Sequence, residues 1–312
     1  MEQTQQTPAP PEVSVILVSE DNAAALRRSL KALEASSPRE IFEILVVDNG
    51  SQDESPRLES EFPEAKFLRL PRRFGYVKAL NIGMRTAKGE FFLFLAPEVE
   101  VEPDTVAGLA ERLAADPTTV AVCPLLVDGE GRPQVQCYRL PGPDRVMRQA
   151  CRGQHEPVEA GALGEESAAV ELPSLAALMI RSYFLKGLRY IDERYGQSWA
   201  DAEIAAQVRR AGRKILLIPS VRAILHPAQI PALRQEAKVR ALYSADFALG
   251  AAAFLGKHFG FLTGLKVRIG LAAWAALRAL ASLVRLREVA YEFYRAGFLI
   301  KGQKLDGTQR FL

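Results

Sequence analysis

The sequence predicts an α/β protein in which a mostly parallel β-sheet is flanked by helices and followed by a helical C-terminal region. Three observations lead to this prediction. From Val13 onward, short apolar runs alternate with amphipathic stretches, which is the pattern of repeated βα units. Apolar residues make up 48% of the 312 residues, enough to bury a large core. After Pro231 the strand-like runs stop and the pattern becomes helical.

The elements of the α/β part can be assigned in chain order. The predicted strands span 13–18, 41–47, 66–70, 91–95, 120–127, 134–138, 175–180, 215–218 and 223–225. The predicted helices run up to residue 33, near 55, from 77, and over 104–114 and 202–211. The turn at 128–131 predicts a hairpin between two of these strands. Residues 141–171 show no periodicity, which predicts a mobile loop over a site.

Residues 232–312 differ from the rest in composition and form the predicted C-terminal helical region. Between 247 and 286 they are mainly Ala, Leu, Phe, Gly and Val, with Lys and Arg interspersed. Uncharged runs such as 269–277 are far shorter than the roughly 20 residues needed to cross a bilayer, so no crossing by this region alone is expected. Two interpretations stay open. The helices either lie on an anionic membrane surface, or they pack on the preceding domain or pair in a homodimer.

Composition and charge exclude several classes of protein. The net charge of +3, without a zinc-finger spacing or a dense basic block, predicts no nucleic-acid partner. Three cysteines without metal-ligand spacing predict reduced thiols in a cytoplasmic protein. Residues 1–12 are polar and proline-rich, so a disordered lead is expected instead of a signal peptide. His155 and His258 have no motif around them and are predicted to be structural or surface residues.

The second predicted strand is followed by a carboxylate and a tight turn. Asp48, Asn49 and Gly50 stand at this position. In parallel sheets, ligands bind where the carboxyl ends of the strands open into loops, and a carboxylate there can accept hydrogen bonds from a base or a ribose. The same residues also suit turn formation and helix capping. The segment alone therefore leaves both interpretations open.

Two further segments place charge at the same predicted edge. Arg73 and Lys78 flank an aromatic loop ahead of a helix that carries Asn81, a combination that predicts a nearby anion. Glu98 and Glu100 follow the next strand directly, and their carboxylate oxygens suit a hard divalent cation. A surface acidic run would have the same sequence.

Taken together and in this order, segments 46–53, 73–83 and 95–101 resemble the family-2 glycosyltransferases, most strongly the rhamnosyltransferase-like members. The resemblance extends from about Val13 to His226 and continues in segments 178–181, 191–194, 199–204 and 209–212. It implies a GT-A fold over residues 13–231. The implied activity is inverting transfer of a hexose or deoxyhexose from a nucleoside-diphosphate sugar to a growing cell-surface glycan or lipid-linked acceptor, assisted by Mg²⁺ or Mn²⁺.

The resemblance also implies roles for individual residues. The implied donor-binding residues are Ser19, Asp48, Asn49, Arg73, Lys78 and Asn81. The implied metal-site residues are Glu98, Glu100 and His226. Asp201 falls on the family's catalytic base, which takes the proton of the acceptor hydroxyl as it attacks the anomeric carbon. Without the resemblance, a single histidine such as His226 would be interpreted as a hydrogen-bonded structural residue.

The sequence departs from the family pattern at three positions in these motifs. The metal motif has Ala96 where an Asn or Asp is common, Ala200 replaces the acid before the base, and Leu175 stands at a small-residue position. These departures favour an alternative, a catalytically silent scaffold or partner-binding module. A nucleotidyltransferase is disfavoured, because a Gly-rich phosphate loop is absent after Val18.

Overall fold

The computed structural model describes residues 12–158, 167–227, 236–286 and 288–305. The strands are β1 (Val13–Ser19), β2 (Phe42–Asp48), β3 (Ala65–Arg69), β4 (Phe91–Leu95), β5 (Val99–Val101), β6 (Thr119–Val127), β7 (Cys137–Tyr138), β8 (Pro157–Val158), β9 (Ala168–Ala169), β10 (Leu172–Pro173), β11 (Ala177–Arg181) and β12 (Lys214–Leu225). The helices are α1 (Ala23–Glu34), α2 (Leu58–Glu61), α3 (Tyr76–Thr86), α4 (Thr105–Ala115), α5 (Val146–Arg152), α6 (Ser182–Gly187), α7 (Gln197–Arg210), α8 (Ala237–Phe259), α9 (Phe261–Arg285) and α10 (Val289–Lys301). The predicted domain boundary at 231 and residues 1–11 of the predicted lead lie outside the described residues.

Most of the strands form one mixed sheet in the order β3-β2-β1-β4-β11-β6-β12-β5, with β9 paired to β12. Strands β1 to β4 run parallel to their neighbours within this group, and β12 runs parallel to β6. Strand β11 is antiparallel to both β4 and β6, and β5 is antiparallel to β12. The predicted α/β sheet flanked by helices is confirmed, with antiparallel strands inserted in one half.

Both faces of this sheet are covered, which explains why its strands look like continuous apolar runs in the sequence. Side chains alternate between the faces along a strand. In β1, Val15 and Leu17 belong to a buried cluster with α1 and α4, whereas Ile16 and Val18 belong to a second cluster with α3 and α7. The second cluster continues into the C-terminal helices.

The middle of the chain differs from the prediction. Only β7 remains of the predicted strand at 134–138, and it leaves the large sheet to pair with β8 and β10. The predicted loop at 141–171 contains helix α5 and strands β8 and β9, while 159–166 lie outside the described part of the chain. The strands predicted at 215–218 and 223–225 are a single strand, β12, whose register with β6 shifts between Ile218 and Arg222.

The C-terminal helices α8, α9 and α10 pack on the α/β part and on one another. Phe254 of α8 is buried in the same cluster as Trp199 of α7. Helices α8 and α9 approach closely, because a Cβ atom added to Gly264 would lie 2.6 Å from the carbonyl oxygen of Ala252 and 2.7 Å from the Cα of Gly256. The packing interpretation of these helices is therefore supported for their inner faces.

Helix α9 is, by length and composition alone, long and apolar enough to cross a membrane, and it is the one such helix among the described residues. The short uncharged run at 269–277 had predicted that no helix here is long enough to cross. Run length underestimates the apolar character of α9, because isolated charged residues such as Arg278 end the run without making the helix polar. Only 28% of the apolar window of α9 is buried in the protein.

Candidate functional site

The ends of β1 and β2 bring the first predicted donor-binding residues together. Ser19 and Asp48 are paired in register, and the backbone amide of Asn49 donates to the carbonyl of Ser19 at 2.9 Å. Asp48 Oδ1 accepts a hydrogen bond from the amide of Ser51 at 3.2 Å. Between them Gly50 has φ +70°, and a Cβ atom there would lie 2.6 Å from the Arg72 backbone, so the turn requires glycine. The turn fixes Asp48 at the edge of the sheet.

The loop that carries Arg73 is fixed by Asn49, one of the predicted donor-binding residues. The Asn49 side chain is fully buried, its Nδ2 donates to the carbonyl of Phe74 at 2.9 Å, and its Oδ1 accepts from the Phe74 amide at 2.9 Å. Both ends of the amide bond to backbone groups, so Asn49 positions the loop, and its contact with the donor stays a prediction. Arg73 forms an ion pair with Asp21 at 2.5 Å, and the Lys78 ammonium lies 4.7 Å from the centre of the Phe74 ring.

Asn81, another of the predicted donor-binding residues, joins two distant segments of the chain. It is buried, its Nδ2 donates to the carbonyl of Ile191 at 2.8 Å, and its Oδ1 accepts from the Ile191 amide at 3.1 Å. The two residues are 110 positions apart in sequence. Asn81 therefore holds α3 to the segment that precedes α7, and its contact with the donor stays a prediction.

The predicted metal-site residues meet where β5 pairs with the end of β12. The amide of His226 donates to the backbone carbonyl of Glu98 at 3.0 Å, and His226 Nε2 lies 2.7 Å from Glu100 Oε2. The side chains of Glu98, Glu100 and His226 are all half-buried. No group of three or more His, Cys, Asp or Glu side chains suited to hold a metal is found among the described residues. Any ion here would need further ligands from a bound diphosphate or from water.

Asp201 has the protonation behaviour expected of a base. It lies in α7 with its side chain only 14% exposed, and Oδ1 accepts a hydrogen bond from the amide of Ala202 at 2.8 Å. Burial raises the pKa of Asp201 to about 6, against the opposing effect of the nearby His155. Such a carboxyl group is mostly ionised at neutral pH and basic enough to accept a proton in a reaction.

Tyr76 experiences the charges of both the base and the acidic motif, although the sequence analysis assigned it no role. It is the first residue of α3. Burial raises the pKa of the Tyr76 phenol, and the negative charges of Asp201 and then Glu98 raise it further. Both carboxylates are therefore close enough to act electrostatically on one phenol, although they are far apart in sequence. The aromatic residue after Gly75 was visible in the sequence, but its neighbours were not.

His155 is also closer to the site than predicted. It is buried, its Nε2 lies 4.0 Å from Asp201 Oδ1, and its ring meets Trp199 edge-on with centroids 4.8 Å apart. Its Nδ1 lies 3.5 Å from Gln149 Oε1. The prediction of a structural or surface residue misses this proximity to Asp201. No sequence signal could have found it, because His155 stands in the aperiodic stretch.

The other face of α7 carries an ionic cluster that ties the helix to α8. Lys257 Nζ lies 2.8 Å from Asp192 Oδ2 and 2.9 Å from Glu203 Oε1, and His258 Nε2 lies 2.8 Å from Glu203 Oε2. Burial acts to raise the pKa of Glu203. Hydrogen bonds from His258, Gln207 and Lys257 outweigh this effect and lower the pKa to about 2. A cavity of about 210 Å³ lies beside this cluster. His258 is thus a structural residue, as predicted.

Comparison with known proteins supports the resemblance. Residues 14–163 match Glycosyl transferase family 2. Among curated proteins, the chain is 36% identical over 124 residues to N-acetylgalactosaminyltransferase 6 of Drosophila melanogaster, which covers 37% of this chain and 18% of that protein. The chain thus spans less than a fifth of that relative's length.

Two solved structures share the fold. One is GalNAc-T7 with UDP, GalNAc and Mn²⁺, with a TM-score of 0.56 and 18% identity over 79% of this chain and 52% of the other. The other is the mannosyltransferase PcManGT from Pyrobaculum calidifontis with GDP-Man and Mn²⁺, with a TM-score of 0.52 and 19% identity over 93% and 85%. The predicted GT-A-like fold is confirmed by these neighbours, and the identification of the family is confirmed by the family match.

Proposed function

We propose that this chain, a family-2 glycosyltransferase by its match over residues 14–163, moves a hexose or deoxyhexose such as rhamnose from a nucleoside-diphosphate donor to an acceptor, with inversion. The acceptor would be a cell-surface glycan or a lipid-linked saccharide. One observation carries the proposal: Asp201, which falls on the family's catalytic base, is a largely buried carboxylate 4.0 Å from His155 Nε2, and its pKa is raised to about 6. Inverting transfer needs a base for the acceptor hydroxyl, and a buried carboxylate with a raised pKa suits that role.

In this reaction Asp201 accepts the proton of the acceptor hydroxyl while the hydroxyl oxygen forms a bond to the anomeric carbon. The bond from that carbon to the donor diphosphate breaks, and the nucleoside diphosphate leaves with the electron pair. The pKa of about 6 supports this role, because Asp201 can be ionised before the transfer and protonated after it. Asp48, at the end of β2, would accept hydrogen bonds from the donor's base or ribose.

A divalent ion, Mg²⁺ or Mn²⁺, fits the acidic motif in part. Glu98 would hold it, with Glu100 and His226 adjacent, and the diphosphate would supply the remaining oxygen ligands. Bound there, the ion would neutralise charge on the leaving diphosphate. The presence of Mn²⁺ in the GalNAc-T7 and PcManGT complexes supports a divalent metal, without deciding between Mg²⁺ and Mn²⁺.

Calorimetric titration tests the donor site. UDP, GDP and dTDP are titrated into the protein with and without Mn²⁺, and into two variants, Glu98→Ala and Glu130→Ala. Glu130 is an exposed residue that pairs with Arg132, so its variant controls for the loss of one carboxylate. We expect one nucleotide to bind more tightly with Mn²⁺, and only Glu98→Ala to lose that gain. Equal loss in both variants would contradict the assignment of Glu98.

The alternative is a catalytically silent scaffold, favoured by Ala96 and Ala200 in the motifs. Binding of no nucleotide under any condition would support it, as would donor hydrolysis that is unchanged in Asp201→Asn. A cytoplasmic location also remains a proposal. It is supported by the free thiols of Cys123, Cys137 and Cys151, none of which is in a disulfide.

A further inference from the structure

The outer face of α9 carries an apolar stripe that no described part of the chain covers. Its inner face is buried at positions three or four residues apart, namely Gly264, Val267, Leu271, Ala275, Ala279 and Ser282. The large apolar side chains on the outer face are 40–87% exposed: Leu262, Leu265, Ile269, Leu277, Leu280, Leu283 and Val284. The stripe is about 33 Å long, because an α-helix rises roughly 1.5 Å per residue and the stripe extends from residue 262 to residue 284.

The charge of this face is wholly positive. Helix α9 contains no Asp or Glu, and it carries Lys266, Arg268, Arg278 and Arg285. Lys266 and Arg285 are exposed, near opposite ends of the stripe. Of the others, Arg278 is engaged with Glu292 of α10 at 2.5 Å. A long apolar face with basic residues at its ends matches the hydrocarbon boundary and the phosphate groups of an anionic bilayer.

The packing of α9 favours a helix lying in the membrane plane over one that crosses it. A crossing helix would have to leave α8, yet the contact at Gly264 is a close backbone approach that such a separation would destroy. The salt bridge between Arg278 and Glu292, whose carboxylate is nearly fully buried, would also be broken. With α9 in the plane, the inner face keeps these contacts while the outer face enters the lipid.

We propose that the outer face of α9 docks the protein on an anionic phospholipid surface, with the helix lying in the interface. The proposal goes beyond glycosyl transfer and does not depend on it. A second copy of the chain could cover an apolar face as well, but a face whose charged groups are all basic would oppose its own symmetric copy. The positive charge of this face therefore favours binding to lipid phosphates over binding to a second copy of the chain.

Flotation with vesicles tests this directly. The full chain is mixed with phosphatidylcholine vesicles, with or without phosphatidylglycerol, and centrifuged through a sucrose gradient. We expect flotation with the anionic vesicles, at least a tenfold lower ratio of bound to free protein for Leu277→Glu/Leu280→Glu, and release of the bound protein by alkaline carbonate. Lys266→Glu/Arg285→Glu should lower binding to anionic vesicles alone.

The control is Val135→Glu/Tyr183→Glu, which alters two apolar side chains that are 54% and 55% exposed and lie outside α9. It should float like the unaltered chain, and circular dichroism should show that all variants are folded. The proposal is overturned if the α9 variant floats as well as the control, or if the unaltered chain binds no vesicles. A dimer that dissociates in the Leu277→Glu/Leu280→Glu variant, without vesicle binding, would assign the face to a second copy. Resistance to carbonate would overturn the in-plane orientation.

Discussion

Substituting Gly250 with alanine tests whether α8 holds the base-bearing helix α7 in place. A Cβ atom at this position would lie 2.9 Å from Trp199 Nε1 and 3.0 Å from its Cγ, and closer still to Cδ1. Trp199 cannot move aside easily, because it is fully buried and Nε1 donates to the carbonyl of Phe247 at 2.8 Å. The extra methyl group must therefore push α7 and α8 apart.

The magnitude follows from two opposing effects. Overpacking a well-packed core costs about 1–3 kcal/mol. Replacing a helical glycine with alanine contributes about 0.5–1 kcal/mol of stability. We therefore expect Gly250→Ala to lower the free energy of unfolding by about 0–2.5 kcal/mol, which is about 1–3 kcal/mol below a Gly→Ala change that causes no overpacking. Because Asp201 follows Trp199 by two residues, we also expect kcat for sugar transfer to fall by more than tenfold, since small displacements of a catalytic group are costly.

Gly297→Ala is the matched control, since Gly297 lies in α10 and an added Cβ would meet no atom within 4 Å. This variant should be more stable than the unaltered chain by about 0.5–1 kcal/mol and equally active. Urea unfolding and initial-rate kinetics measure both effects. If the two variants are equally stable and active, the close packing of α8 on Trp199 does not hold α7 in place, and the reasoning is wrong.

Two further predictions concern single side chains. The rate of transfer should fall below about pH 6, because Asp201 is then protonated and cannot accept the acceptor's proton. Because burial raises the pKa of Asp201, keeping its charged form buried costs stability as the pH rises through 6. Asp201→Asn should therefore stabilise the fold at pH 8 by up to about 3 kcal/mol, and should not stabilise it at pH 4. Equal effects at both pH values in thermal unfolding would refute this. Asn81→Ala should lower stability by about 1–3 kcal/mol, because the backbone of Ile191 loses both partners, while nucleotide affinity measured by calorimetry stays within about twofold.

Much of the sheet could be predicted because its strands are buried on both faces, and so appear as apolar runs bounded by turns. Strand β5 could not, because it has only three residues, one of them Glu100, and forms by pairing with the distant β12. Helix α5 was missed for a related reason. It has only seven residues, three of which are Arg or Gln, and its place in the fold depends on contacts with α8 and α9.

Within the site, the sequence located the residues whose position depends on the end of a strand, namely Ser19 and Asp48. It assigned Asn49 and Asn81 to the donor because both are polar residues in family motifs. Their actual partners are backbone groups 25 and 110 residues away, which no local pattern can show. The closeness of Tyr76 and His155 to Asp201 likewise depends on long-range packing. Residue types suited to the chemistry were predictable, whereas the long-range contacts that hold these side chains in place were not.

The C-terminal helices have a packed face and an exposed face, and composition alone could not separate them because both faces are apolar. The inner face contacts Trp199 and the ionic cluster at Lys257, so it stabilises the helix that carries Asp201. The outer face of α9 is exposed. Truncating the chain after Pro231 would remove both faces at once and uncover Trp199, so loss of vesicle binding in such a truncation would not distinguish docking from unfolding. Substitutions confined to the outer face, such as Leu277→Glu, separate the two, because they leave the contacts around Trp199 intact.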